Sequence, residues 1–220
     1  KKTADLDSNE NPMGTAPKAV EAIQKELGSL NRYPESGSTL LRTALAEHYG
    51  LEADNVIISN GGDNIITTLM NAFINEGDEI VVCKPYFFVY TVESGLLGGK
   101  IKEVEPLADF ACNFEGMLDA ITDKTKMVMI TNPNNPTAAI IGKKALADFI
   151  AKVPDHVLVV LDEAYAEFVG EEDYDDGLEY VKANKNLLII RTFSKLYGLA
   201  GLRVGNALAP KRLIANIRKA

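Results

Sequence analysis

The chain is sparing with the residues that staple or metal-load a protein: its 220 residues include only two cysteines and two histidines. Cys83 and Cys112 lie far apart, so neither a disulfide framework nor a zinc knuckle is indicated. His48 and His156 have no second ligand at helical or hairpin spacing, and both read as surface or packing residues. No metal is expected. No apolar run is long enough to span a bilayer, and the polar residues 1–10 do not form a signal peptide. Runs of Lys and Arg are missing too, so no nucleic-acid face is indicated, and the formal net charge of −8 by itself implies only a soluble chain. There is no internal repeat and no low-complexity tract. The acidic cluster over 171–176 reads as a solvated loop rather than a metal site. A reduced, cytoplasmic setting is the expectation. What is present is globular in proportion, 46% hydrophobic and 25% charged, which excludes disorder, collagen and coiled coil. A compact domain of this size buries roughly 70% of its unfolded surface, enough for one large core or one domain with an appendage.

Residues 1–16 show little apolar periodicity and hold Pro12 and Gly14, so they predict an extended arm. Over 17–27, Val20, Ile23 and Leu27 recur at helical spacing behind Pro17, which suits a first turn. A loop over 31–38 leads to a second helix over 40–49, ended by Gly50. From there strand and helix alternate. Strands are predicted over 56–59, 80–83, 101–104, 126–131, 157–161, 187–191 and 202–208. Helices are predicted over 61–74, after Pro85, over 114–121, 143–151 and 178–182, and from 211 onward. This alternation predicts an α/β fold, a three-layer αβα arrangement with a mostly parallel central sheet covered on both faces. Ligands on such sheets bind beyond the carboxyl ends of the strands.

Four polar segments fall at such ends. The most informative is Arg191-Thr192-Phe193-Ser194-Lys195-Leu196-Tyr197-Gly198-Leu199-Ala200-Gly201-Leu202-Arg203-Val204-Gly205. Its lysine sits just past an apolar strand, between hydroxyl residues and a glycine-rich stretch. A desolvated lysine gives up its proton readily and suits Schiff-base chemistry, although Lys195 taken alone is also an ordinary loop lysine. The glycines do not match G-x-G-x-x-G, so a dinucleotide site is not indicated. Asp162-Glu163-Ala164-Tyr165 puts a carboxylate at the end of a second apolar strand; alone it is equally a helix cap or a metal ligand. Asn132-Pro133-Asn134-Asn135-Pro136-Thr137 follows a third strand and alone is only an unusual turn. Asn60-Gly61-Gly62-Asp63 follows a fourth and opens a helix, where free N–H groups and the helix dipole favour an anion. Four such segments at the ends of four neighbouring strands could converge on one phosphorylated ligand.

In this order and spacing the segments resemble those of the pyridoxal-5′-phosphate (PLP) dependent aminotransferases of fold type I, and among them the histidinol-phosphate aminotransferase group. Ser8-Asn9-Glu10-Asn11-Pro12-Met13-Gly14 and Leu30-Asn31-Arg32-Tyr33-Pro34 share the resemblance, which runs from about residue 6 to about residue 210. The resemblance implies a fold and a set of roles. Residues 1–32 become an N-terminal arm and first helix, and 33–220 a PLP-binding large domain. Lys195 forms the Schiff base with the cofactor and then moves the proton between substrate and cofactor. Asp162 pairs with the pyridine nitrogen, while Tyr165 and Asn135 hydrogen-bond the phenolate oxygen. Phe87 stacks on the ring. The backbone of Gly62 and Asp63, with Ser194, Arg203 and Thr192, holds the phosphate; Asp63 acts there through its amide and as a cap. Tyr33 reaches the phosphate of a partner subunit, which implies a homodimer. Tyr90 and Asn9 are placed against the substrate.

The implied reaction is transfer of an amino group between histidinol phosphate, or an aromatic amino acid, and 2-oxoglutarate. A decarboxylase of the same group, acting on a substrate such as threonine phosphate, would use the same cofactor residues. So would a PLP-binding chain without catalysis. The family's pattern has Glu, Gly and Tyr where this chain has Asn64, Ala138 and Asn206, and none of these three removes an implied cofactor contact. Family members also continue past the equivalent of Ala220 into a small C-terminal domain that carries a substrate-gripping arginine. That domain is expected to be missing from this chain.

Overall fold

The computed structural model describes residues 7–219; the first six residues of the predicted arm and Ala220 lie outside the described residues. The most apolar strands run through the middle. β4 (Thr125–Thr131), β5 (Leu158–Asp162) and β6 (Leu187–Thr192) are buried at almost every position, as parallel strands covered on both faces must be. With β1 (Val56–Ser59), β2 (Glu79–Cys83), β3 (Lys100–Val104) and β7 (Gly205–Leu208) they form one seven-stranded sheet in the order β1-β7-β6-β5-β4-β2-β3. The pairs β3–β2, β2–β4, β4–β5 and β5–β6 are parallel. β7 is antiparallel to both of its neighbours.

Strand residues alternate between two cores, one on each face. Met127 and Met129 of β4, Leu158 and Val160 of β5, and Leu188 and Ile190 of β6 pack with α3 (Gly62–Phe73), α4 (Val89–Leu96) and α8 (Lys211–Ile217). Val128, Ile130, Val159, Leu161, Leu187 and Ile189 face the other way. They pack with α2 (Thr39–Tyr49), α5 (Phe114–Ala120), α6 (Lys143–Ile150) and α7 (Leu178–Lys182). The predicted three layers are therefore present. α1 (Pro17–Glu26) belongs to neither core and buries no residue.

Two expectations need correction. The strand predicted over 202–208 begins only at Gly205, because Ala200–Leu202 is a 3₁₀ turn and Arg203 adopts a left-handed conformation at φ 51°. The four polar segments also do not end four adjacent strands, since β7 lies between β1 and β6. β7 nevertheless keeps the first segment close. A Cβ on Gly205 would come within 2.5 Å of the Gly61 carbonyl carbon, so only glycine allows β7 to lie against the turn that starts α3.

Candidate active site

At the carboxyl ends of β4, β5 and β6 the sheet opens into a cavity of about 860 Å³. Its floor is Asp162, the last residue of β5, buried and held from two sides. Tyr90 Oη donates to Asp162 Oδ2 at 2.7 Å, and the Ala164 N–H donates to Oδ1 at 3.2 Å. Tyr90 spends its one proton on Asp162, so the hydroxyl of Thr131, 2.9 Å away, donates to Tyr90 in turn. Burial pushes the Asp162 carboxyl above its ordinary range; the Tyr90 and Ala164 donors oppose that push. Burial, and next the charge of Asp162, raises the Tyr90 phenol well above its usual value, which keeps it a donor. Tyr90 is wholly buried within α4 and does not line the cavity. The structure thus sets Tyr90 behind Asp162 and does not bring it to the cavity where a substrate contact was expected.

Lys195 lies just beyond β6. Its Nζ donates to the Ser8 carbonyl at 2.7 Å and sits 5.5 Å from the centre of the Tyr165 ring. Asn9 Nδ2 donates to Tyr165 Oη at 3.1 Å. The N-terminal arm continues along the lysine loop, with Asn11 Nδ2 donating to the Leu196 carbonyl at 2.7 Å and Thr15 Oγ1 to the Gly198 carbonyl at 2.6 Å. The arm thus closes one side of the cavity through Ser8 and Asn9.

The opposite end is built for an anion. Helix α3 starts there with no side chain capping its first turn, so the amides of Gly62 and Asp63 remain available. The expected capping role of Asp63 is not seen: Gly61 is the N-cap residue, and the Asp63 carboxylate instead lies 3.7 Å from Arg203. Arg203 Nη1 also donates to Ser194 Oγ at 3.4 Å. Thr192 Oγ1 donates to Ser194 Oγ at 2.9 Å and accepts the Ser194 N–H at 3.1 Å. Gly61 sits at φ 91°, a conformation that favours glycine, and a Cβ there would lie 2.3 Å from the Arg203 guanidinium and push it aside. Asn64 earns a role here, since its Oδ1 accepts the Asn60 N–H at 3.4 Å and steadies the turn before the helix.

Phe87 and Asn135 complete the walls. The segments carrying them are linked by Asn134 Nδ2, which donates to the Pro85 carbonyl at 3.1 Å. Asn9, Gly62, Asp63, Phe87, Asn135, Asp162, Tyr165, Thr192, Ser194, Lys195 and Arg203 therefore surround one space. Tyr33 does not join them; its side chain is fully exposed outside the cavity.

Sequence reasoning missed the support beneath the site. Arg191 donates through Nε and Nη2 to Glu163 Oε2, at 3.0 and 2.7 Å, in the interior. Its guanidinium also lies 5.0 Å from the centre of the Tyr49 ring and 3.4 Å from Asp176. The pair ties the residue after Asp162 to the strand that leads to Lys195. Burial pushes the Glu163 carboxyl up, and the Arg191 guanidinium pulls it back. The signal in the sequence was two opposite charges, each at the end of an otherwise apolar strand. The acidic cluster is likewise more than a solvated loop, because Asp176 faces Arg191 and Asp175 caps the turn at Gly177.

A family model described as aminotransferase class I and II matches residues 1–220. The chain is 43% identical over 215 residues to the histidinol-phosphate aminotransferase of Akkermansia muciniphila, covering 98% of this chain and 59% of that protein. It is 45% identical over 215 residues to the histidinol-phosphate aminotransferase of Moorella thermoacetica, covering 97% and 55%. The crystal structure of histidinol-phosphate aminotransferase from Sinorhizobium meliloti in complex with pyridoxal-5′-phosphate aligns with a TM-score of 0.91 at 28% identity, covering 97% of this chain and 58% of that one. The chain thus spans between 55 and 59% of the length of these three proteins.

Proposed function

The chain belongs to the class I and II aminotransferases, and on that footing we propose that it is the cofactor-binding large domain of a PLP-dependent aminotransferase. The amino group would pass between histidinol phosphate, or an aromatic amino acid, and 2-oxoglutarate. Residues 1–32 form the arm and first helix in this reading, and 33–220 the large domain. The observation that carries it is the meeting of Lys195, Asp162 and the Arg203–Ser194 end of the cavity around one space.

The donor set fits that cofactor. One end offers helix amides, a hydroxyl and a guanidinium to a phosphate, where each charge-assisted hydrogen bond contributes about 1.5–3 kcal/mol. The floor offers a buried carboxylate, held by Tyr90 and Ala164, to a cationic ring nitrogen. Phe87, Tyr165 and Asn135 line the same cavity, where Phe87 would offer an aromatic face to the ring and Tyr165 and Asn135 hydrogen bonds to its phenolate oxygen. Bound there, PLP supplies an electron-withdrawing ring that stabilises negative charge at the substrate Cα.

The chain's own residues do the rest. Asp162 would keep a proton at the ring nitrogen, and the Tyr90–Thr131 relay favours the ionised form of Asp162 and aims it. The Lys195 amine would hold the cofactor and would serve as the base that moves a proton to and from the substrate Cα. Ser8 and Asn9 of the arm close the site and limit water, with Asn9 also facing the substrate.

Tyr33, fully exposed and remote from its own cavity, suits the reading that the working unit is a two-fold dimer in which it completes the partner's phosphate site. A cytoplasmic setting belongs to the same reading; among the described residues no helix is long and apolar enough to cross a membrane.

The experiment is borohydride reduction of PLP-loaded protein followed by peptide mapping, with amino transfer from histidinol phosphate to 2-oxoglutarate assayed on the full-length protein. Cofactor fixed to the peptide containing Lys195, together with keto-acid-dependent turnover, is expected. Label on another lysine would overturn the cofactor assignment. Label on Lys195 without transfer from histidinol phosphate or an aromatic amino acid would overturn the substrate.

A further inference from the structure

A second cavity of about 330 Å³, which shares only Tyr86 and Thr131 with the lining of the first, contains both cysteines. Cys83 ends β2 and Cys112 lies in the loop before α5; both are half-buried. The Asn113 N–H donates to Cys83 Sγ at 3.4 Å, which brings Cys112 within one peptide unit of the Cys83 sulfur. Cys112 Sγ also lies 3.6 Å from Met117 Sδ. Most of the remaining wall is apolar, including Phe110, Phe114, Ile130 and Ile141. The cofactor chemistry uses none of these groups.

We propose that Cys83 and Cys112 form a thiol-modification site that reacts with small organic disulfides, Cys83 as the attacking sulfur and Cys112 as the resolving one. The Cys83 thiolate attacks one sulfur of the organic disulfide. That S–S bond breaks, the departing thiolate takes up a proton, and a mixed disulfide is left on Cys83. Cys112 then gives its proton to solvent and attacks the Cys83 sulfur. The second organic thiol leaves, and the Cys83–Cys112 bond joins the end of β2 to the loop before α5. Two protein thiols are oxidised by two electrons, and one organic disulfide is reduced to two thiols.

The pair is unequal, which is what such a sequence needs. The neighbouring Cys112 thiol, helped by the Asn113 amide and opposed by burial and by Glu105, brings the Cys83 thiol down to about 6. The same contact, with burial, pushes the Cys112 thiol up. The other charged groups at this cavity are Asp109 and Lys84, and Lys84 is bound to Glu105 and lies 3.8 Å from Glu103. β4 and α6 contribute only uncharged residues to its wall.

The test measures iodoacetamide labelling of each cysteine against pH in the native protein, by peptide mass. A thiol that ionises near pH 6 reacts only about twofold faster at pH 8 than at pH 6, whereas an ordinary thiol gains nearly a hundredfold. This ratio is independent of how shielded the sulfur is. Cys83 is expected to show the small ratio. Exposure to hydroxyethyl disulfide should then yield the linked Cys83–Cys112 peptide, and Cys112→Ser should stop at a mixed disulfide on Cys83. A hundredfold ratio at Cys83, faster labelling at Cys112, or two free thiols after exposure to hydroxyethyl disulfide would each overturn the proposal.

Discussion

Helices α1 and α3 carry the same kind of apolar stripe and meet opposite fates. α3 buries Ile65, Ile66, Leu69 and Met70 against the sheet and turns its first residues into the cavity. α1 buries nothing, and Val20 within it and Leu27 just after it remain 39% and 56% exposed. Part of the difference is composition, since α1 has only Val20 and Ile23 as large apolar residues; the rest comes from the connections. α3 is entered from β1 and leaves toward β2, so two strands hold it on the sheet. α1 follows an arm anchored by side-chain hydrogen bonds from Asn11 and Thr15, and it leads to an exposed stretch containing Leu30 and Tyr33. An apolar stripe states that a helix needs a partner; the path of the chain decides whether that partner is at hand.

The contrast between a sheet-held region and an unpartnered one can be broken most severely beneath the site. Glu163→Ala strands the Arg191 guanidinium in the interior, and a broken buried pair costs about 3–5 kcal/mol. Denaturant unfolding should show that loss. A cost under about 1 kcal/mol would mean that the DEAY loop is held by something other than this pair.

The next effect separates the two helices directly. Leu69→Ala in α3 should cost about 2–5 kcal/mol through transfer and cavity terms. Val20→Ala in α1 should change stability by no more than about 0.5 kcal/mol when measured on monomeric chain. Equal costs would show that α1 is packed within the chain after all.

A smaller effect sharpens how the floor of the site is set. Tyr90→Phe leaves Thr131 and Asp162 each short of a buried partner, a loss of about 1–3 kcal/mol. It also has a pH signature. Burial raises the Asp162 carboxyl, so between its unfolded and folded values the native chain binds more protons than the unfolded one. Stability of the cofactor-free protein therefore falls as pH rises through that window. The Tyr90 donor opposes the raised value, so Tyr90→Phe should extend the loss to higher pH. An unchanged profile would remove Tyr90 from the control of Asp162.

The smallest effect lies in the loop after β4. Ala138 sits at φ 58°, a left-handed conformation that costs an L-residue about 1–2 kcal/mol and glycine far less. Ala138→Gly should therefore stabilise the chain by about 0.5–1 kcal/mol, read as a small rise in melting temperature. A fall would mean that the methyl group makes a contact worth more than the strain.

The sequence by itself determined the layers and the chemistry. Apolar runs such as Val159-Val160-Leu161 are long enough to require burial on both faces, and they dictate a parallel sheet wherever the chain folds. Lys195, Asp162, Asn135 and Gly62 were legible because each stands where such a run stops, and a strand that stops delivers its next residue to the sheet's edge. Other features depended on which parts of the chain meet in space. No local pattern places β7 between β1 and β6, because that depends on the left-handed turn at Arg203 and on Gly205 fitting against Gly61. The resemblance placed Tyr90 against the substrate, yet the helix that carries it turns its ring inward toward Asp162. Cys83 and Cys112, distant in sequence, came together because β2 and the loop before α5 share one cavity. Periodicity and strand ends are local properties that a sequence states directly, whereas partners across the fold are chosen by packing, which only the tertiary structure resolves.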